Sequence, residues 1–358
     1  MCASEHPADT DSAIPEVFEA GELAVVLSRY DLGVIESVRA FPRGSRRSPK
    51  LLIRSERGVF LLKRRAKGRD DPRRVALAHQ VQNALAASGF PVAQLIGQRG
   101  SGATLTELEG SIYELFRFAA GEPYAQQLPQ TREAGRMLAV FHREVGAMAL
   151  RLESAGHQGY HLSPHVAAQL GLVPDRISAA EGRAEGAAVR GVVMELARAY
   201  AEAGERVRRL GADEWPAQIT HGDWHPGNML FKGSTIAAVL DFDTVRQEPR
   251  ALDVANGALQ FSMTKDGDDP ASWPDFPDES RLRIFCEGYD SVEGSTISLC
   301  EVQALPWLMI EALIAETAGP IAATGRFGTL AGTKVLRMVD RKVRWLEQHA
   351  EHLAGELG

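Results

Sequence analysis

Between Ile219 and Asp243 the chain reads ITHGDWHPGNMLFKGSTIAAVLDFD, and three of its side chains have types and spacing suited to phosphoryl chemistry. Asp223 and Asn228 stand five residues apart in a loop, and a second carboxylate, Asp241, follows eighteen positions after Asp223. Two apolar runs, Asn228–Phe231 and Ile236–Leu240, flank Lys232-Gly233-Ser234 and predict a hairpin that brings Asp241 back beside Asn228. Moving a phosphoryl group needs a carboxylate to orient a hydroxyl and accept its proton. It also needs oxygen ligands for a hard cation that spans the phosphates. Asp223 suits the first task, and Asn228 and Asp241 suit the second. Asp243 either adds a ligand or stiffens the loop. A lone HGD would carry little, because loop aspartates commonly cap turns; the asparagine and the closing DFD give the pattern its weight.

H-G-D-x-H-x-x-N followed by D-F-D resembles the aminoglycoside phosphotransferase family of kinase-like enzymes. That family includes homoserine-kinase-like and choline-kinase-like small-molecule kinases and a stress-response protein kinase. The resemblance extends over roughly residues 30 to 340 and is sharpest from 219 to 253. It implies that Asp223 is the catalytic base, that Asn228 and Asp241 hold magnesium, and that His221 braces the loop. Asp253, in Ala251-Leu-Asp-Val-Ala, matches a family aspartate that supports the loop from a following helix. ATP and Mg2+ are the implied cofactors, and a small-molecule hydroxyl is the implied acceptor.

The same resemblance assigns roles nearer the N-terminus. Lys63, closing Val59-Phe-Leu-Leu-Lys63, resembles the strand lysine that contacts the α- and β-phosphates. Its usual partner, a helix glutamate directly before a histidine, is missing here, where the matching pair is Ala78-His79. A single glycine, Gly44, stands where relatives carry a Gly-rich run. Gly44 and Ser45, with Arg43, Arg46 and Arg47, are the candidates for phosphate contact; a solvated basic turn is the alternative. Tyr113–Phe118 resembles a hinge strand, which implies that the backbone of Glu114 and Phe116 binds adenine.

These residues need elements to position them. Strands are expected at Val34–Phe41, Leu51–Ser55 and Val59–Arg65, the last two joined through Glu56-Arg57-Gly58. A helix follows, capped by Asp71 with Pro72 at its first position and ended by Gly89; Ala78, Val81 and Leu85 form its apolar stripe. Ser111–Phe118 alternates as a strand, and Gly121-Glu-Pro breaks the pattern. Beyond it the chain is mainly helical, with inward faces at Ala134, Leu138, Phe141 and Val145 and again at Val335, Val339, Val343 and Leu346. The expected fold is α+β in two lobes: a small β-rich N-terminal lobe with one helix, and a larger, mainly helical C-terminal lobe. By resemblance it is protein-kinase-like. The expected divisions are a loose tail over residues 1–14, a nucleotide lobe over 15–119 and a catalytic and substrate lobe over 120–358.

Bulk properties exclude several classes. A length of 358 residues suits two lobes, and a net charge of −7 argues against nucleic acid or an anionic membrane as a partner. Three scattered cysteines, Cys2, Cys286 and Cys300, form neither a disulfide framework nor a metal site. The acidic N-terminal segment lacks a signal-peptide pattern and no apolar run reaches the ~20 residues of a membrane span, so a cytoplasmic location is expected. Oligomeric state is not legible. GxxxxGK[ST], GxGxxG and HExxH are all absent, which removes P-loop, dinucleotide-binding and zincin readings. Three alternatives stay open: a stress-response protein kinase, a nucleotide-binding pseudokinase, and a metal-dependent phosphohydrolase using His221, Asp223, His225, Asp241 and Asp243. For the acceptor, Lys265–Glu279 gathers six acids around Trp273 and Phe276, which suits a cationic amine, an amino alcohol or an aminoglycoside. An exposed acidic loop is the plainer explanation.

Overall fold

The computed structural model describes residues 18–42, 48–148 and 159–357. The tail residues 1–14 and the phosphate-loop candidates Gly44 and Ser45 lie outside them. The chain divides into two compact units, one made of the residues up to Ala87 with Val92–Ala120, the other of Ser88–Pro91 with Gly121 onward.

The first unit opens with helix α1 (Ala20–Ser28) and continues through β1 (Ile35–Ala40), β2 (Lys50–Ser55) and β3 (Gly58–Arg64). Helix α2 (Pro72–Ala87), β4 (Leu105–Leu108) and β5 (Ser111–Arg117) complete it. The strands form one antiparallel sheet in the order β1-β2-β3-β5-β4. Strand alternation sends Leu51, Ile53, Phe60, Leu62, Tyr113 and Leu115 to one face, where they form a core with Val26 and Tyr30. Lys63 and Glu114, one position out of phase, point to the other face. Helix α2 starts as its sequence dictates: Pro72 is its first residue, the Arg73 N–H donates to the Asp71 carboxylate at 3.0 Å, and Gly89 follows its end at φ +83°. Helix α1 and β4 were not anticipated; both are short and neither carries a strong periodic stripe.

β5 corrects one expectation. Glu114 opposes Lys63 and Phe116 opposes Leu61 across the β3–β5 ladder. The Phe118 N–H bonds Val59 O and the Arg65 N–H bonds Ile112 O, so alternate residues, 114 and 116 among them, turn their backbone groups to β3. Leu115 and Arg117 turn the other way, to Ile96 and Gln94. The peptide groups of Glu114 and Phe116 are therefore engaged inside the sheet and are not available to adenine.

The second unit is mainly helical. It runs through α3 (Leu128–Ala147), α4 (Pro164–Glu181), α5 (Arg183–Ala188) and α6 (Arg190–Arg209), then four short strands, β6 (Ala217–Thr220), β7 (Met229–Lys232), β8 (Thr235–Val239) and β9 (Arg246–Pro249). Helices α7 (Arg250–Ser262), α8 (Glu279–Asp290) and α9 (Leu299–Thr324) follow, then a two-strand turn, β10 (Arg326–Phe327) and β11 (Leu330–Ala331), and α10 (Gly332–Leu357). Helix α9 is long and apolar enough to cross a membrane by length and composition, and 72% of its most apolar window is buried inside the protein.

Candidate active site

Two strand pairs frame the HGD loop. β6 pairs antiparallel with β9, setting Thr220 opposite Arg246, so the chain leaves and re-enters one ladder around residues 221–245. Inside that excursion β7 and β8 form the expected hairpin, with Met229 opposite Val239. The Leu240 N–H donates to Asn228 O at 2.8 Å, which returns Asp241 to the neighbourhood of Asn228. Asp241 has φ +60°, a left-handed conformation costing a residue with a side chain about 1–2 kcal/mol. Gly222, at φ +74°, is required: a Cβ there would lie 2.7 Å from Thr244 O.

Buried side chains fasten the loop. Asp253 on α7 is 1% exposed and accepts the backbone N–H groups of His221 at 2.7 Å and Gly222 at 2.8 Å. His142 on α3 approaches the same carboxylate at 3.2 Å. Burial works to raise the Asp253 carboxyl, but His142 and His221 outweigh it and hold it below the usual carboxylate range. His221 is fully buried among Phe141, Trp224 and Phe242, and burial lowers its pKa. Its neutral ring donates from Nε2 to Leu240 O at 3.2 Å, tying the start of the loop to the end of β8. Trp224, also fully buried, donates Nε1–H to Ala134 O at 3.2 Å and pins the loop to α3.

At the open end stand the polar groups singled out by the sequence. Asp223 is half-buried, and the Asn228 amide donates to both its backbone oxygen and its Oδ2 at 3.0 Å each. Both Asn228 N–H groups thus face Asp223, which leaves Oδ1 as the oxygen that can meet a cation. His225 Nδ1 accepts the Gly227 N–H at 2.9 Å, and its Nε2 lies 3.6 Å from Asp223 Oδ2. Burial works to raise the Asp223 carboxyl; His225, His221 and Asn228 together hold it below its ordinary value. The donor set fits a hard divalent ion: an amide oxygen and a carboxylate, both oxygen ligands, with no sulfur or imidazole committed to it.

Glu316 was not anticipated. It lies on α9, half-buried, and accepts from Gln260 Nε2 and from the side chain of Asn256. Burial and the nearby Asp223 charge push its pKa up to about 7. Asn256 is 4% exposed and its Oδ1 has no hydrogen-bond partner among the described residues. The sequence held one signal for this site, a glutamate inside an otherwise apolar helical stretch, Leu313-Ile-Ala-Glu-Thr-Ala.

The acidic loop agrees with the plainer of its two sequence-based explanations, an exposed surface segment. Asp269 pairs with Lys334 at 3.0 Å, Asp275 with Arg341 at 2.7 Å, and Asp278 with Arg281 at 2.9 Å while it caps α8. Trp273 is 8% exposed and carries Lys265 over its ring at 5.2 Å. Half of the six acids already have cationic partners, which explains the loop as a surface fastened to α8 and α10.

A carboxylate in a braced loop, with an amide and a second carboxylate carried by the following hairpin, is an arrangement suited to phosphoryl transfer. The sequence pattern of the phosphotransferase enzyme family matches residues 37–294, and the chain belongs to that family. It is accordingly an enzyme that moves a phosphoryl group to a hydroxyl of a small molecule, with ATP as co-substrate and a divalent metal ion. It is 26% identical over 295 residues to a homoserine kinase of Phenylobacterium zucineum (strain HLK1), covering 80% of each chain. Among solved structures it resembles a microcompartment-associated aminopropanol kinase, with a TM-score of 0.70 at 15% identity over 94% of this chain and 99% of the other. An amicoumacin kinase in complex with AMP-PNP and Ca2+ gives a TM-score of 0.64 at 12% identity, with 94% of each chain covered.

Proposed function

We propose that this protein is a magnesium-dependent kinase of a small amino alcohol, with Asp223 as the base. The carrying observation is the Asp223–Asn228 pair: the amide donates to Asp223 twice, orients its carboxylate, and turns its own oxygen the other way. Asp223 accepts the proton of the acceptor hydroxyl as that oxygen attacks the γ-phosphorus, and the bond from that phosphorus to the β–γ bridging oxygen breaks to release ADP. Asn228 and Asp241 are the residues that would hold magnesium, and the ion supplies neutralisation of charge on the phosphates. His225, with Nε2 toward Asp223, keeps the carboxylate charged and fixed. Lys63 takes the nucleotide's α- and β-phosphates.

Glu316 supports an acceptor that carries an ammonium group close to its hydroxyl. Its carboxyl is near enough to Asp223 to share its electrostatic field, and a cation placed between them would lower the energy of both. The similarity to homoserine and aminopropanol kinases agrees with a substrate of that class.

ADP release from ATP, followed with homoserine, aminopropanol, ethanolamine, choline and an aminoglycoside, tests the proposal. A magnesium-dependent rate with one of the small amino alcohols, abolished by Asp223→Ala, is expected. ADP release only with the aminoglycoside would overturn the small amino-alcohol acceptor, and a rate unchanged in Asp223→Ala would overturn the assigned base.

A further inference from the structure

Lys63 is 7% exposed, and a buried ammonium is tolerated only with an acid beside it. Helix α2 does not supply one: Ala78 offers a methyl group, and the next residue, His79, reaches across to Glu114. Glu114 lies directly opposite Lys63 on β5, and residues opposed in a ladder project to the same face. It is 1% exposed.

The two oxygens of Glu114 have different surroundings. Oε1 receives Arg65 at 2.8 Å and His79 Nε2 at 2.6 Å, while the His79 Nδ1 meets Thr104 Oγ1 at 2.8 Å. Oε2 is buried, makes no hydrogen bond among the described residues, and has Lys63 Nζ at 3.9 Å. An orphaned carboxylate oxygen is costly in an apolar interior unless a cation stands by it. Burial works to raise this carboxyl, yet His79, Lys63 and Arg65 hold it below the ordinary glutamate value, so it carries its charge.

We propose that Glu114 is the positioning residue for Lys63: a strand-borne carboxylate whose second oxygen fixes the ammonium for nucleotide phosphates, in place of an acid from α2. His79 and Arg65 saturate the first oxygen and so orient the second. Ladder register sets the pair, and α2 contributes only through His79, which orients the carboxylate.

The inference rests on Lys63 as a phosphate contact, and the experiment separates the two. Calorimetry on the full chain gives Kd for magnesium ATP and for adenosine, with thermal unfolding as the control for folding. Glu114→Gln is expected to weaken magnesium ATP about tenfold, the scale of a lost charge-assisted contact, and to leave adenosine within about twofold. Glu114→Asp restores part of the loss. Should Glu114→Gln fail to fold because two buried cations lose their acid, the charge-balanced pair Arg65→Met with Glu114→Gln decides, with the same selective loss expected. Lys63→Ala weakening ATP while the folded Glu114 variants bind it normally overturns the role of Glu114. Equal weakening of ATP and adenosine overturns it too, since that reports general damage. If Lys63→Ala leaves ATP binding unchanged, the reading of Lys63 falls, and Glu114 with it.

Discussion

The two units meet the same need, a charged side chain held still, by different routes. In the second unit the functional groups are local: residues 219–253 supply the loop, the hairpin and Asp253, which grips the loop's first two amides. In the first unit the needed charge is assembled across the sheet, Lys63 on β3 from Glu114 on β5 with His79 of α2 behind it. A local solution must keep residue types at fixed spacing, because one short chain segment has to reach every contact. An assembled one can change the donor element and keep the contact.

The largest effect expected on the local side is at Asp223. Asp223→Ala should reduce turnover by about 10²–10⁴, the range of a positioned general base, with magnesium-ATP affinity within about threefold. Steady-state rates against nucleotide calorimetry check it; parallel loss of ATP affinity would show Asp223 to be part of the nucleotide site. Next comes Asp253. Asp253→Asn leaves buried amides of His221 and Gly222 and the His142 ring without a carboxylate, at a cost of about 3 kcal/mol or more. Since the folded Asp253 has a depressed pKa, its contribution is present above its ordinary value of 3.8 and is lost as pH falls through the lower folded value. The gap in unfolding free energy between wild type and Asp253→Asn should therefore be constant near neutrality and close only in acid below that value. A gap that closes between pH 5 and 7 would contradict the assignment.

How far the sequence carried follows the same division. The placement of Asp223, Asn228 and Asp241 on one loop and hairpin was legible because the HGD, the asparagine and the DFD each stand on a strand–loop–strand segment whose turn chemistry is local. β9, Arg246-Gln-Glu-Pro, was not legible, since only pairing with β6 makes that polar segment a strand. Ala78 showed that the helix acid was missing; that Glu114 stands opposite Lys63 depended on register, which hydrophobic alternation alone leaves open to slippage. The same β5 residues were read as hinge backbone, a role the ladder forbids. Glu316 showed in the sequence only as a glutamate in an apolar helical stretch; its neighbours were not legible, because α9 meets α7 only in the folded chain, where Gln260 and Asn256 receive it.

Glu316 gives an intermediate effect, and it tests whether assembled charge also operates in the second unit. Its folded pKa is raised from 4.5 to about 7, so the protonated carboxyl's contribution to stability is full below 4.5 and is lost as pH rises through about 7. The carboxylate that would attract an ammonium forms over that same rise. The acceptor KM of an amino alcohol should fall as pH climbs through about 7, and Glu316→Gln should flatten the profile and raise KM about tenfold at the alkaline end. An unchanged profile in Glu316→Gln would remove the ammonium from this position.

The smallest effect belongs to the acidic loop, and it sharpens the comparison because composition there suits both a cation site and a plain surface loop. Asp275 is paired with Arg341 at 2.7 Å and its side chain is 47% exposed. A surface pair of this kind contributes little, and a carboxylate already facing a guanidinium has little charge left to attract a substrate cation. Asp275→Asn should leave the acceptor KM and turnover within about twofold of wild type, and steady-state kinetics at low ionic strength, where surface charges act most strongly, is the sensitive condition. A tenfold rise in acceptor KM there, absent in Glu316→Gln, would move acceptor recognition from an assembled site beside Asp223 to a local one in the loop.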